Sequence, residues 1–266
     1  MGVLNVTPDS FSDGGLAYDA DRAIDRALAI EAEGADIVDI GAESTRPGAD
    51  SVDAAEEWRR LKPVFKGLAG RLRIPISVDT YRAETARRAL DHGVAIVNDI
   101  SGLGYDAGLG SIVAARGAVL VLMHTRGRSR EMYDEARYSN VVAEVASELQ
   151  RSIERAIGSG VPWDRLVVDP GLGFAKRAPH SFAVLAATDC FASLGRPVLV
   201  GPSRKSFLAA AAAARPPQDR DWATAAAVTA AVLGGAHIVR VHRVAEMVEV
   251  VRVADAIREH AHHDLT

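Results

Sequence analysis

Cysteine is almost missing. One residue, Cys190, in a chain of 266 rules out an intramolecular disulfide and any multi-cysteine zinc site. It reads as a packing residue of a protein kept in a reducing compartment. Aromatics make up only 5% of the chain, and Trp58, Trp163 and Trp222 read as packing residues of helices or loops. Charge of one sign is missing too. Lys and Arg number 31 against 35 Asp and Glu, a net charge of −4, which points to neither a nucleic-acid nor a membrane partner. No apolar run is long enough to span a bilayer. The run Ala209–Ala214 is read as part of a helix. The start, Met1-Gly2-Val3-Leu4-Asn5-Val6, lacks the basic region and apolar stretch of a signal peptide, so a cytoplasmic location is expected. Walker A and nucleophile-elbow patterns are absent, and His260, His262 and His263 read as a frayed tail.

What is present is alternation. Short, nearly continuous apolar runs lie at Val3–Val6, Asp36–Ile40, Pro75–Val78, Ala95–Val97, Ala118–Met123, Leu166–Val168, Pro197–Val200 and His237–Val241. Strands apolar on both faces belong to a parallel sheet. Amphipathic patterns separate them, among them Asp21–Glu33, Asp53–Leu68, Arg82–His92, Val141–Ile157 and Val244–His260. Eight such units in a chain of this length predict a (β/α)8 TIM barrel, one domain over residues 1–266. A doubly wound open sheet is the alternative.

Polar residues close the strands. Asn5 lies in the first, Asp79 ends the third, Asn98 and Asp99 the fourth, Met123 and His124 the fifth, Asp169 the sixth, and Arg240 with His242 the eighth. In a barrel these ends share the face where active sites are built. Each alone has a plainer reading as a helix cap or turn residue. The longest strand-to-helix connections are expected after strands one, two and five.

The loops carry their own chemistry. Asn5-Val6-Thr7-Pro8-Asp9-Ser10-Phe11-Ser12-Asp13-Gly14-Gly15 offers hard oxygen ligands of the kind Mg2+ takes. Gly41-Ala42-Glu43-Ser44-Thr45-Arg46-Pro47-Gly48 presents Arg46, a fork for phosphate or carboxylate. Asp79, Asn98 and Asp169 would be partly desolvated and would suit a ligand with several N–H donors; mutual pairing with barrel Arg or Lys is the plainer reading. Asp169-Pro170-Gly171-Leu172-Gly173-Phe174-Ala175-Lys176 sets an aromatic at the tip of a glycine loop. In Gly201-Pro202-Ser203-Arg204-Lys205-Ser206, Ser203 is expected to cap a helix whose N-terminus, with two cations, makes an anion site.

Together these segments, in order and over essentially the whole chain, resemble the dihydropteroate synthases. The resemblance implies condensation of 6-hydroxymethyl-7,8-dihydropterin pyrophosphate with p-aminobenzoate, giving 7,8-dihydropteroate and pyrophosphate in folate biosynthesis. It implies that Asp79, Asn98, Asp169 and Lys205 bind the pterin, with Met123 near its ring. Asn5, Arg46, Arg240 and His242 take the pyrophosphate, and Mg2+ sits near Asn5 and Asp13. Thr45, Pro47, Phe174 and Ser206 surround p-aminobenzoate. Asp13, Arg46, Lys205 and His242 carry the catalysis, and a homodimer forms through late helices. Sulfonamide-resistant members carry an insertion beside the aromatic matching Phe174; this chain has none, so a sulfonamide is expected to compete. Arg243 departs from the acidic residue more usual there. The leading segment of many members is missing, which would leave the barrel base less well plugged. A pterin-barrel methyltransferase would share Asp79, Asn98 and Asp169 but not the pyrophosphate loops. A non-catalytic pterin-binding paralogue would be expected to lose Asp13 or Arg46.

Overall fold

The computed structural model describes residues 1–7, 16–43, 52–128, 132–212 and 215–260. Strands and helices alternate along the chain: β1 Gly2–Asn5, α1 Leu16–Ala32, β2 Val38–Gly41, α2 Ala54–Leu68, β3 Ile76–Asp79, α3 Ala83–Leu90, β4 Ile96–Asp99 and α4 Leu109–Ala115. Then come β5 Val119–Met123, α5 Val141–Gly158, β6 Leu166–Asp169, α6 Ala178–Ala186, β7 Leu199–Val200, α7 Asp221–Leu233, β8 Ile238–Val239 and α8 Val244–His260. The first six strands form one parallel sheet in sequence order, and β7 pairs with β8. Two isolated parallel bridges, Val168↔Val198 and Gly2↔Val241, join these sheets at both seams and close the ring. The expected TIM barrel is therefore the fold, and the open sheet is excluded.

Side-chain alternation sorts the barrel into layers. Val97, Leu120, Leu122 and Val168 point outward into the core shared with the helices. Met1, Ile96, Val121, Val167 and Leu199 point inward and fill the base, edged by half-buried Ile37, Val119 and Ile238. The base is thus filled rather than left open. Two residues further along β2, β4 and β6, the inward positions become Asp39, Asn98 and Asp169, all buried. The barrel changes from apolar to polar within one step of the strand period.

Several expectations need correction. The described residues of Gly201–Arg220, which join β7 to α7, hold no α-helix, so a fourth long connection shares the rim. The run expected to be helical from Ala209 leaves its 3-10 turn at Ala210, Ala211 and Ala212 belong to no helix, and α7 begins only at Asp221, after Pro216 and Pro217; Ala213 and Ala214 lie outside the described residues. Cys190 is exposed, and Trp222 is 86% exposed on α7, so neither packs within one chain. Trp58 is buried as expected, whereas Trp163 is half-exposed beneath the Arg196 guanidinium. His260 belongs to the last turn of α8 rather than to a tail; His262 and His263 lie outside the described residues.

Candidate active site at the C-terminal rim

The polar inward layer is held by one arginine. Arg240, just past β8, donates through Nε to Asp39 Oδ2 at 2.6 Å and through Nη2 to Asp79 Oδ2 at 2.8 Å. Asn98 Nδ2 donates to the same Asp39 oxygen at 3.1 Å. The other Asp39 oxygen is buried and meets no hydrogen-bond partner among the described residues. Gly41 makes this packing possible. A Cβ there would stand 3.1 Å from Asp79 Cβ, so any larger residue would push the carboxylate aside.

Burial sets the charge states. Asp79 is pushed up to about 7, mainly by loss of water and against the pull of Arg240, with Asp39 adding repulsion. Asp169 is also raised by burial, although Lys205 and the Gly171 amide favour its charged form. Burial draws Lys205 down to about 8, while Asp169 opposes the shift. Carboxyls held above their ordinary range want hydrogen-bond donors. Beside them lies an apolar ledge of Tyr81, Ile100 and Met123, bordered by Tyr105 and Phe174. A flat heterocycle with N–H donors along one edge fits both surfaces.

The segment after β7 departs from expectation. Ser203 does not cap a helix; its hydroxyl meets His242 Nδ1 at 2.9 Å and accepts from the His242 amide at 3.3 Å. The next element is a 3-10 turn, Ser206–Ala210, with no side-chain cap. The anion site expected at a helix N-terminus is therefore not built there: two or three amides of a 3-10 turn have little aligned dipole. Ser206 is exposed at the start of that turn. The two adjacent cations part company. Arg204, at a left-handed φ of 61°, turns outward to Asp221 on α7. Lys205 turns inward, donates to Leu172 O and lies 4.6 Å from the Phe174 ring centre.

Two other strand-end residues prove structural. Asp99 accepts from the amides of Ser101 and Leu103 at 2.8 and 2.6 Å and shapes a turn behind the sheet. His124 is buried toward α5, where Nε2 meets Glu148 at 2.9 Å. Burial lowers it to about 4, which keeps it neutral.

Arg240, expected on the pyrophosphate, commits two of its donors to Asp39 and Asp79 and so belongs to the acid cluster as well. Arg243 is exposed and pairs with Glu246. Asp13, Thr45, Arg46 and Pro47 lie outside the described residues. The described residues flanking the Arg46 segment converge on Arg82, which meets the Glu43 carboxylate and the Val52 carbonyl. Asn5 ends β1 at the rim, partly exposed. Among the described residues, no group of three His, Cys, Asp or Glu could hold a metal.

Comparison with known proteins fits this geometry. The family model for pterin binding enzymes matches residues 1–242. The chain belongs to the pterin-binding enzyme family. It is 47% identical over 262 residues to the dihydropteroate synthase of Mycobacterium leprae, covering 96% of this chain and 92% of that protein. The Yersinia pestis dihydropteroate synthase in complex with a sulfonamide drug superposes with a TM-score of 0.91 at 38% identity, over 97% of this chain and 94% of the other. The Xanthomonas albilineans enzyme with 4-aminobenzoic acid gives 0.90 at 40% identity, over 97% and 92%.

Proposed function

We infer that this chain is a dihydropteroate synthase, condensing 6-hydroxymethyl-7,8-dihydropterin pyrophosphate with p-aminobenzoate. The observation that carries the reading is the inward acid pair Asp79 and Asp169, each raised by burial, beside Asn98 and Lys205 on the rim of a pterin-binding-family barrel. A pterin presents a guanidine-like edge to those carboxyls and a carbonyl to Lys205. Met123 and its apolar neighbours take the ring face.

The reaction breaks the C–O bond between the pterin methylene and pyrophosphate, then joins the aniline nitrogen to that carbon, with loss of the aniline proton. Positive charge builds on the pterin as the leaving group departs. Asp79 and Asp169 favour that charge through fixed, desolvated carboxylates, which is electrostatic preorganisation rather than covalent catalysis. His242, held by Ser203, and Arg46 are assigned to the leaving pyrophosphate, with Arg240 near it. Phe174, Thr45 and Pro47 are assigned to p-aminobenzoate, with Ser206 at its carboxylate; 4-aminobenzoic acid and a sulfonamide are the ligands of the solved relatives.

Mg2+ is proposed with Asn5 and Asp13. The Asn5 amide oxygen is a hard donor suited to it. Asn5 and Asp13 would hold it together with the pyrophosphate. When bound it would neutralise charge on the leaving group. A homodimer through the late helices is supported by Leu233 on α7 and by Val253 and Ile257 on α8, all about half exposed or more. No helix among the described residues is long and apolar enough to cross a membrane, which accords with a cytoplasmic enzyme. The test is a coupling assay that follows pyrophosphate and dihydropteroate, with and without Mg2+. Product formed only when both substrates are supplied supports the reading; no product under either condition overturns it.

A further inference from the structure

Lys176 has no part in the reading above, yet it is 1% exposed, one of the largest fully buried side chains. Its Nζ lies 2.8 Å from His124 Nδ1 and donates to Gly171 O and Phe174 O at 3.1 Å each; burial draws it well below the ordinary lysine range, with Asp169 opposing the shift. His124 accepts there because its other ring nitrogen faces Glu148, which Arg126 grips in turn. An apolar side chain of similar length would fill the same space without desolvating a charge, so stability alone gives a lysine little reason to be there.

The bonds show what the lysine holds. It lies two residues after Phe174 and folds back beneath the loop, tying together the carbonyls of Gly171 and Phe174. That loop cannot hold its own shape. Gly171, Gly173 and Ala175 have φ of 68°, 77° and 48°, and the alanine pays a steric penalty for it. A Cβ on Gly171 would stand 2.0 Å from His124 O, so the backbone runs hard against β5. Other side chains fasten the remaining groups: Ser181 Oγ accepts from the Gly173 amide at 3.1 Å, and Tyr138 OH donates to Ala175 O at 3.0 Å. Lys205 takes Leu172 O and lies over the Phe174 ring. One loop is therefore bracketed by two lysines, one on the substrate side and one beneath.

We propose that Lys176 is a positioning residue for the aniline pocket, fixing the height and tilt of the Phe174 ring through the carbonyls of Gly171 and Phe174. The proposal rests on the reading of Phe174 as a wall of that pocket. The pterin contacts Asp79 and Asn98 are set by their own strands and by Arg240 and Asp39, while Asp169 and Lys205 touch the loop only through the Gly171 amide and the Leu172 carbonyl, so the loss of Lys176 falls more heavily on the second substrate.

Steady-state kinetics of Lys176→Met with each substrate varied, together with thermal melting, tests this. The KM for p-aminobenzoate is expected to rise about tenfold, the weight of one or two buried hydrogen bonds. The KM for the pterin pyrophosphate, and its affinity by calorimetry, should change clearly less. Lys176→Gln, which keeps a neutral donor in the same space, should fall between wild type and Lys176→Met. Equal losses for both substrates, a lowered melting point with unchanged KM for p-aminobenzoate, or failure of both variants to fold would each overturn the proposal and leave Lys176 a stability residue. A wild-type protein that did not couple the substrates would instead bring down the functional reading, and this proposal with it.

Discussion

Glu56 on α2 and Asp79 on the rim both touch arginine, and their acidities move in opposite directions. Glu56 meets Arg59 at 2.6 Å and Arg60 at 2.7 Å in water, and these bonds hold it down at about 2. Asp79 meets Arg240 at 2.8 Å and is nonetheless pushed up to about 7. The difference is solvent. On the helix surface water supports the charge and the arginines add to it. On the rim the carboxylate has given up its water, shares its arginine with Asp39, and does not regain the loss. A partner alone does not make a carboxylate comfortable, and one left short of donors inside a barrel mouth is poised for a ligand that brings them.

The contrast can be sharpened by substitution. Lys205→Ala should have the largest effect, because it removes the cation facing Asp169 and the brace on Leu172. A fall of about a hundredfold or more in kcat/KM is expected, with a melting temperature near wild type; near-normal turnover would take Lys205 out of the site. Asp79→Asn should weaken pterin binding about tenfold or more by calorimetry, since it replaces an acceptor of a charge-assisted bond. It should also change the pH dependence of stability. The folded Asp79 lies near 7 and an ordinary aspartate near 4, so between those values the native protein holds the extra proton, and stability falls as pH rises. Melting curves across that window should show the slope in wild type and its loss in the variant.

His242→Ala separates the two ends of the first substrate. It should weaken binding of the pterin pyrophosphate far more than binding of the same pterin without phosphates; equal losses would make His242 structural, through its bond to Ser203. A sulfonamide should behave as a competitive inhibitor against p-aminobenzoate, because Gly173-Phe174-Ala175-Lys176 runs on without a steric insertion. Unchanged coupling at millimolar drug would require such an element elsewhere. Glu56→Ala should do least, costing about 1 kcal/mol or less in denaturant unfolding, as exposed pairs do.

Much of this was legible in the chain itself. Strands buried on both faces announced the barrel, and the polar residues two steps beyond the apolar ones marked its rim. Asp39 was missed, although an acid inside the apolar run Asp36–Ile40 was a signal: an inward carboxylate in a barrel needs a cation, and Arg240 supplies it. The stretch after β7 misled for a physical reason. A serine, two cations and an alanine run have the look of a capped helix, but the left-handed Arg204 and the Pro216-Pro217 pair prevent one. Which of Arg204 and Lys205 faces inward is decided by contacts with Thr224 and Asp221, seventeen or more residues away, and no local pattern encodes that. Lys176 was visible in its loop, but its burial depends on His124 and α5, which only the folded chain brings beneath it.

The claim that the rim carboxylates wait for donors is tested most directly by proton release. Binding of 6-hydroxymethylpterin, which has no phosphates to confuse the count, is followed by calorimetry near pH 7 in buffers of different ionisation enthalpy. Burial holds Asp79 up to about 7, so it keeps a proton part of the time there, and a ligand that donates to it should drive a fraction of that proton off. That release is expected in wild type and should be smaller in Asp79→Asn, where Asp169 alone is left to give it. Binding with no proton release, or with equal release in both proteins, would contradict it.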